Sequence, residues 1–401
     1  MQRSLKTERH SRGAGAGIAL LTYGFRPFFL GAAVWAIAAM SLWIGSLAGL
    51  WPLAPGYGAL AWHAHEMLFG YTAAVVAGFL LTAIPNWTGQ LPVAGWRLAL
   101  LALLWGVARL AFLLTGVTGL IPAVAVDSLF LPCLLLLLTR EIVAGHNWRN
   151  LKPLVLVALL AAANIGFHAE VLSTGTAVVS SRVAVAALIG LIMLIGGRIV
   201  PSFTHTWLLR LGAVRLPTAF NAFDVATLGV SAAALLLWIV YPDAGLTGAL
   251  FLLAAVLQGA RLWRWAGIGT WREPLVLILH IGYAFVPLGF LLGAICIFAP
   301  GALGGTAALH TWTVGAIGTM TLAVMTRATR SHTGRALAAS RLTVVIYAAI
   351  LSAAALRIAA GAAQRDFETL IEIAGVAWIA AFALFLIEYA PMLLGSRAGP
   401  R

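Results

Sequence analysis

Residues 59–84 read ALAWHAHEMLFGYTAAVVAGFLLTAI, a run in which Glu66 is the only carboxylate and neither Lys nor Arg occurs. A helix crossing the hydrocarbon core of a bilayer takes ~20 mostly apolar residues, and this run supplies them. The rest of the chain has the same character. Of its 401 residues 62% are hydrophobic and 9% charged, where a soluble domain carries roughly a quarter charged. A cytosolic globule is excluded, and the length allows about a dozen spans with short connections and no soluble domain besides. The chain is expected to be one all-α integral membrane domain over 1–401, with 1–17 a polar, basic cytoplasmic lead-in. The first apolar run is far longer than a signal peptide's and lacks a small-residue cleavage site.

Apolar runs between Pro, Gly and Arg punctuation predict twelve helices, near 27–50, 59–84, 96–115, 119–139, 153–173, 180–200, 220–240, 245–263, 274–298, 305–327, 341–361 and 368–393. Charge tests the count, because with the amino terminus inside, Lys and Arg should collect at the cytoplasmic ends of helices. Arg3, Lys6, Arg9 and Arg12 precede the first helix; Arg140, Arg149 and Lys152 follow the fourth, Arg210 and Arg215 the sixth, and Arg261, Arg264 and Arg272 the eighth. Arg327, Arg330, Arg335 and Arg341 follow the tenth, Arg397 and Arg401 close the chain, and the outer loops carry only Arg365. This alternation predicts a multi-pass protein with both termini cytoplasmic. The net charge of +13 then reports topology in a lipid bilayer and not a nucleic-acid surface, which would need a water-facing fold. Cys133 and Cys296 lie in apolar runs without CxxC or CxxCH spacing, so any haem is held non-covalently.

The inner ends of the second, sixth and tenth helices read Asn86-Trp87-Thr88, Ser202-Phe203-Thr204 and Ser331-His332-Thr333. Arg198 and Arg327 each stand six residues before their threonine; His65 and His310 each stand twenty-three before theirs, with Gly70 and Gly315 five further on. Helices four apart share these spacings, which suggests three four-helix units about a pseudo-threefold axis.

Ionisable groups inside a span are costly and mark functional sites by default. Most of them fall at one depth, the outer third: His63, His65 and Glu66 on the second helix, Arg109 on the third, Asp127 on the fourth, His168 and Glu170 on the fifth, Arg182 on the sixth, His310 on the tenth and Arg357 on the eleventh. Residues two apart on a helix point about 200° from each other, so His63 and His65 read as ligands of two sites on opposite flanks, or else as interfacial histidines at a helix start. Glu66 is placed to fix an imidazole tautomer or to relay a proton. His310 heads a stripe of small residues that admits a flat macrocycle or a neighbouring helix. His168, one turn after Asn164, reads as a copper or haem ligand or as an interhelical hydrogen bond. Arg109, Arg182 and Arg357 suit either haem propionates or the carboxylates of Asp127, Glu66 and Glu170. His280 lies nearer the cytoplasmic side, and His205 and His332 are expected in solvated cytoplasmic connections.

Several longer stretches carry a family resemblance. Gly24-Phe25-Arg26-Pro27-Phe28-Phe29, Trp62-His63-Ala64-His65-Glu66-Met67, Pro85-Asn86-Trp87-Thr88-Gly89, the run from Gly197 to Thr204 and the run from His310 to Arg335 resemble the NnrS family over nearly the whole chain. The resemblance implies a polytopic protein of the bacterial inner membrane that contains haem and copper and takes part in the response to nitric oxide. A more distant resemblance, in architecture and in His63, His65 and His310, is to the catalytic subunit of haem-copper oxidases and nitric oxide reductases. There the H-x-H pair lies on the tenth helix, here on the second, and no membrane-level histidine on the sixth or seventh helix completes the usual copper site.

Taken together these readings predict a haem- and metal-containing redox protein that binds nitric oxide and reduces or otherwise detoxifies it, in the manner of a nitric oxide reductase. His65 and His310 are expected to hold one haem b between them, and His63 with His168 a second metal or haem, copper being the implied metal. His63, Glu66 and His168 are the catalytic candidates, and Arg109, Arg182 and Arg357 the cofactor supports. The electron donor would be a quinol or a small redox protein. The alternatives are a proton-coupled transporter, for which helices broken at mid-membrane are expected, and a non-catalytic haem-binding assembly or sensor protein.

Overall fold

The computed structural model describes residues 18–362 and 366–398. The lead-in 1–17, Arg365 and Arg401 fall outside them. Twelve helices are long and apolar enough to cross a membrane: α1 (Phe25–Leu47), α2 (Ala59–Thr88), α3 (Trp96–Leu113), α4 (Leu120–Ala144), α5 (Leu151–Thr174), α6 (Val179–Arg210), α7 (Ala222–Val240), α8 (Gly245–Trp263), α9 (Pro274–Phe298), α10 (Gly305–His332), α11 (Arg341–Ala362) and α12 (Phe367–Leu394). No strand occurs among the described residues. The protein is a multi-pass helical membrane bundle. Most helices pack on their neighbours in the chain, α2 packs on α1 and α4, and α12 returns to pack on α1.

Helices α2, α6 and α10 run past their expected ends at 84, 200 and 327, to Thr88, Arg210 and His332. The repeated motif lies at these extensions. Thr88 Oγ1 donates to Ile84 O at 2.9 Å, Thr204 Oγ1 to Val200 O at 2.9 Å, and Thr333 Oγ1 to Thr329 O at 2.6 Å. Thr88 and Thr333 each supply a carbonyl with a donor where the helix ends and the backbone donors run out; Thr204 makes the same bond six residues before α6 ends at Arg210. His332 is therefore not a loop histidine. It ends α10, with its ring 5.6 Å from that of Phe25 and 6.3 Å from that of Tyr23. His205 likewise lies within α6, on its exposed side.

The same three helices each contain a π-helical stretch, Glu66–Thr72, Ile192–Gly196 and Thr311–Gly318. Those of α2 and α10 begin at the residue after His65 and His310, twenty-two before Thr88 and Thr333; that of α6 begins twelve before Thr204. These wide turns are uncommon and cluster at functional sites. Between them the three helices line an apolar cavity of about 80 Å³ through residues such as Val75, Phe79, Leu191, Ile195, Ile317 and Met320. Helices α2, α6 and α10 thus form an inner triad, and the other nine close three compartments around it. One lies between α2 and α6 behind α3–α5, the second between α6 and α10 behind α7–α9, and the third between α10 and α2 behind α11, α12 and α1.

Candidate functional site

The first compartment holds a cage of buried polar side chains contributed by five helices. On α2, His65 and Glu66 adjoin, and Glu66 Oε1 accepts from His65 Nδ1 at 2.9 Å. Glu66 Oε2 accepts from Trp35 Nε1 of α1 at 2.7 Å and from Arg109 Nη1 of α3 at 2.5 Å. Arg109 Nη2 also pairs with Asp127 Oδ1 of α4. Asp127 Oδ2 accepts from His65 Nε2 at 3.1 Å, from His168 Nε2 of α5 at 3.0 Å and from Asn164 Nδ2 at 2.9 Å. Asn164 Oδ1 accepts in turn from His65 Nε2 at 3.0 Å. Tyr57, in the turn before α2, closes the cage with its hydroxyl 2.9 Å from His168 Nδ1, donating to it while His168 Nε2 keeps its proton and accepting from it when Nε2 is a ligand. Burial, and then the Glu66 carboxylate, push the Tyr57 hydroxyl up from its ordinary value, so it keeps its proton.

His65 and Glu66 are sealed from solvent and His168, Asp127 and Arg109 are at most 2% exposed. Charges in such a place must be paired to be tolerated. Arg109 brings one positive charge against two carboxylates, and every partner of the two His65 nitrogens is an acceptor oxygen. The charges of the cage leave it suited to one further cation, either a proton on His65 or a metal ion in place of the Nε2 protons. Ligand atoms of His65, Asp127 and His168 all lie within 4.8 Å of one another, as a shared metal ion requires. Both histidines turn Nε2 inward while Nδ1 is engaged, by Glu66 in one case and Tyr57 in the other. A carboxylate or hydroxyl on the far nitrogen is what orients a metal-binding imidazole, and an imidazole and carboxylate set suits copper, iron or zinc.

The fold accommodates the cage through Gly70, one turn beyond Glu66. A Cβ there would stand 2.6 Å from Glu66 Oε2, 2.8 Å from Arg109 Nη1 and 2.8 Å from Trp35 Nε1. Its carbonyl, within the π-helical stretch, accepts from Trp105 Nε1 of α3 at 2.9 Å.

His63 faces the other flank of α2, as the 200° argument requires. Its ring stacks on Trp43 of α1 at 4.5 Å and 16°, and its Nδ1 is buried without a partner. His310 of α10 and Arg357 of α11 lie within Coulombic reach of it. His310 Nδ1 donates to Thr306 O at 2.8 Å, which leaves the lone pair on Nε2. Arg357 Nη1 is also buried and unpartnered, and its guanidinium lies 5.9 Å from the Phe367 ring. This cluster occupies the third compartment. Two imidazoles with free nitrogens, beside a cation without a carboxylate, form a donor set that fits a haem and a propionate.

The structure thus brings together His65 with His168, and His63 with His310, and exchanges the partners expected from the spacings. The ring centroids of His65 and His168 are 4.7 Å apart. The reason is the pseudo-threefold arrangement itself: His65 and His310 are equivalent positions of two units, so each faces its own compartment and they do not meet. Arg109 serves Glu66 and Asp127 as a counter-ion. Arg182 makes no ion pair among the described residues, and packs over the Trp238 ring at 6.0 Å in the second compartment. Glu170 caps the start of α6, accepting from Val179 N at 3.1 Å and Ser180 N at 2.8 Å. His280 Nε2 donates to Thr204 Oγ1 at 2.7 Å, away from all three compartments' outer ends.

Three participants were not picked out as site residues by sequence. Asp127 was noted only as a charge to be balanced, although a lone carboxylate in an apolar span is itself a signal. Trp35 and Tyr57 carried none.

A twelve-span helical membrane protein with a buried, metal-capable His/Asp/His cage is the class that fold and site define. The chain belongs to the NnrS family: the family profile, described as NnrS protein, matches residues 19–397. Comparison with curated proteins gives no match.

Proposed function

We propose that the protein is a haem- and copper-containing redox protein of the bacterial inner membrane that binds nitric oxide and removes it by reduction. The observation that carries the proposal is the convergence of ligand atoms of His65, Asp127 and His168 within 4.8 Å, in a buried site. Membership of the family supports nitric oxide as the ligand. On this reading His65, Asp127 and His168 hold the metal, and His63 and His310 hold haem b with Arg357 at a propionate. The bound groups would supply the site for nitric oxide and the path for electrons from a quinol or a small redox protein. The chain's own part is to fix the ligands and to handle protons.

Reducing two molecules of nitric oxide to one of nitrous oxide and one of water takes two electrons and two protons. Glu66, hydrogen-bonded to His65, and Tyr57, hydrogen-bonded to His168, stand where a proton can be held beside each ligand. The apolar walls exclude water while admitting a small neutral gas. A transporter is disfavoured by the position of the cage at one side of a bundle whose spans run unbroken. An assembly or sensor protein would keep the cofactors without turnover.

The experiment is metal analysis, an optical spectrum and anaerobic nitric oxide consumption with a reductant, on one purified sample. Metal and haem with consumption above the reductant alone is the expected result. Cofactors without consumption would leave a binding protein, and absence of both from protein purified from metal-replete cells would end the proposal.

A further inference from the structure

The second compartment contains a cavity of about 530 Å³, larger than any packing defect and within the ~300–1,000 Å³ of small-molecule sites. Interiors are close-packed, and a mostly apolar cavity of this size with a few polar groups in its lining has the make-up of a small-molecule site. The cavity has a polar end and an apolar end. Its mouth lies among the loops before α6 and α8, where Thr176 and Asp243 are exposed. Just inside stands Arg182, half-buried, with no ion pair among the described residues and only the face of Trp238 beside it. Beyond it the wall is aromatic. Trp238, Phe251 and Trp312 meet edge to face or tilted, with centroids 5.4–6.4 Å apart. The indole N–H of Trp312 is already given to Val286 O, and the rings present mainly apolar faces to the cavity.

The repeat shows what has changed here. Counting back from Thr204 as His65 and Glu66 count back from Thr88, α6 carries Ser181 and Arg182. Where the first compartment has an imidazole and a carboxylate, this one has a hydroxyl and a guanidinium. No histidine lines it, so it is not built to ligate a haem iron through imidazole. A guanidinium partly withdrawn from water and without a carboxylate attracts an anion, most strongly a carboxylate or phosphate that it can grip bidentately.

We propose that this cavity binds a membrane amphiphile with an anionic head, a carboxylate or phosphate held by Arg182, whose apolar body lies against Trp238, Phe251 and Trp312. Asp243 at the rim faces the water side of such a head and leaves the inner position to Arg182.

The test uses the purified full-length protein in detergent with cis-parinaric acid, a fluorescent fatty acid, and its uncharged methyl ester. Energy transfer from tryptophan should reveal one saturable site for the acid, with the ester at least tenfold weaker. Arg182→Gln should weaken the acid at least tenfold and leave the ester unchanged. Ala177→Phe, which places a ring in the void from a loop, should weaken both. Extraction of the unprobed protein followed by mass spectrometry distinguishes a retained phospholipid from a free fatty acid, and either supports the site. Equal binding of acid and ester, no saturable binding, or an extracted neutral quinone as the occupant would overturn the proposal. So would loss of haem in Arg182→Gln, because the occupant would then be the porphyrin itself.

Discussion

The arginine at the centre of the cage provides the sharpest test of its electrostatics, because it needs no cofactor to be scored. Arg109→Leu leaves Glu66 and Asp127 facing each other's negative charge in a site sealed from water. At an effective dielectric of about 20, the 2.5 Å Arg109–Glu66 contact is worth about 7 kcal/mol of attraction before desolvation. Desolvating the ions takes back several kcal/mol, and breaking such a pair by removing one partner typically costs about 3–5 kcal/mol. The single variant should therefore lose roughly 5–10 °C in thermal midpoint, measured by size-exclusion chromatography after heating in detergent. Glu66→Gln/Arg109→Leu returns the cage to the one net negative charge that it carries with neutral histidines, and should recover at least half of that loss. An Arg109→Leu protein as stable as the parent, or a double variant no better than the single one, would show that the ion pairs do not govern the cage.

Other outcomes follow from the same geometry. His65→Ala and His168→Ala should each lower bound metal at least tenfold by mass spectrometry, whereas His63→Ala and His310→Ala should leave it within twofold; loss of metal in His63→Ala and His168→Ala but not in His65→Ala would restore the pairing expected from the spacings. His310→Ala and Arg357→Leu should lose haem absorbance from a protein that still inserts, and full haem in both would move the porphyrin elsewhere. Gly70→Ala pushes a methyl group into Glu66, Arg109 and Trp35 and should cost about 1–3 kcal/mol by overpacking, with bound metal falling alongside; a neutral thermal shift would contradict it. Glu273, at the start of α9, is held above the usual carboxylate range by burial, against the nearby Arg327 cation. A raised folded value means that its contribution is fully present below the unfolded value and is lost as pH rises through the folded one. Glu273→Gln should therefore gain on the parent in thermal midpoint as pH goes from about 4 to about 8, and a constant difference would refute the assignment.

The spans were legible because hydrocarbon permits few alternatives: a run such as 59–84 can only be a helix, and its charges can only be few. The inner ends were not, since Asn86, Ser202 and Ser331 look like the start of a loop. In the structure the helical backbone runs on through them, to Thr88, Arg210 and His332. The candidate residues were found by depth, but depth carries no azimuth. Periodicity fixes the angle between His63 and His65 and says nothing of which neighbours either one faces, and that phase is set by packing against α1, α4 and α11. Tyr57 and Trp35 reach the cage through a turn and a neighbouring helix, where no periodic signal marks them. The shared spacing of His65 and His310 was genuine evidence of a repeat, and misleading evidence of contact.

The repeat also accounts for how one helix can serve two centres. In a ring of three compartments each inner helix is a wall of two of them, so its opposite flanks are free to diverge. On α2 both flanks carry a histidine, His65 toward Asp127 and His168, His63 toward His310 and Arg357. On α6 the corresponding register carries Ser181 and Arg182, and the compartment behind it is a void lined by rings. The metal and haem sites proposed above are then separated by the backbone of α2 alone, about 10–12 Å with its side chains. An electron passing between them would cross one helix, along the two peptide units that join His63 to His65. That places the weight of any coupling on residues 63–70 of α2, where Glu66 and Gly70 already hold Trp35 and Arg109 in place. Substitutions that leave both ligand sets intact but disturb this segment should uncouple the two centres before they empty either.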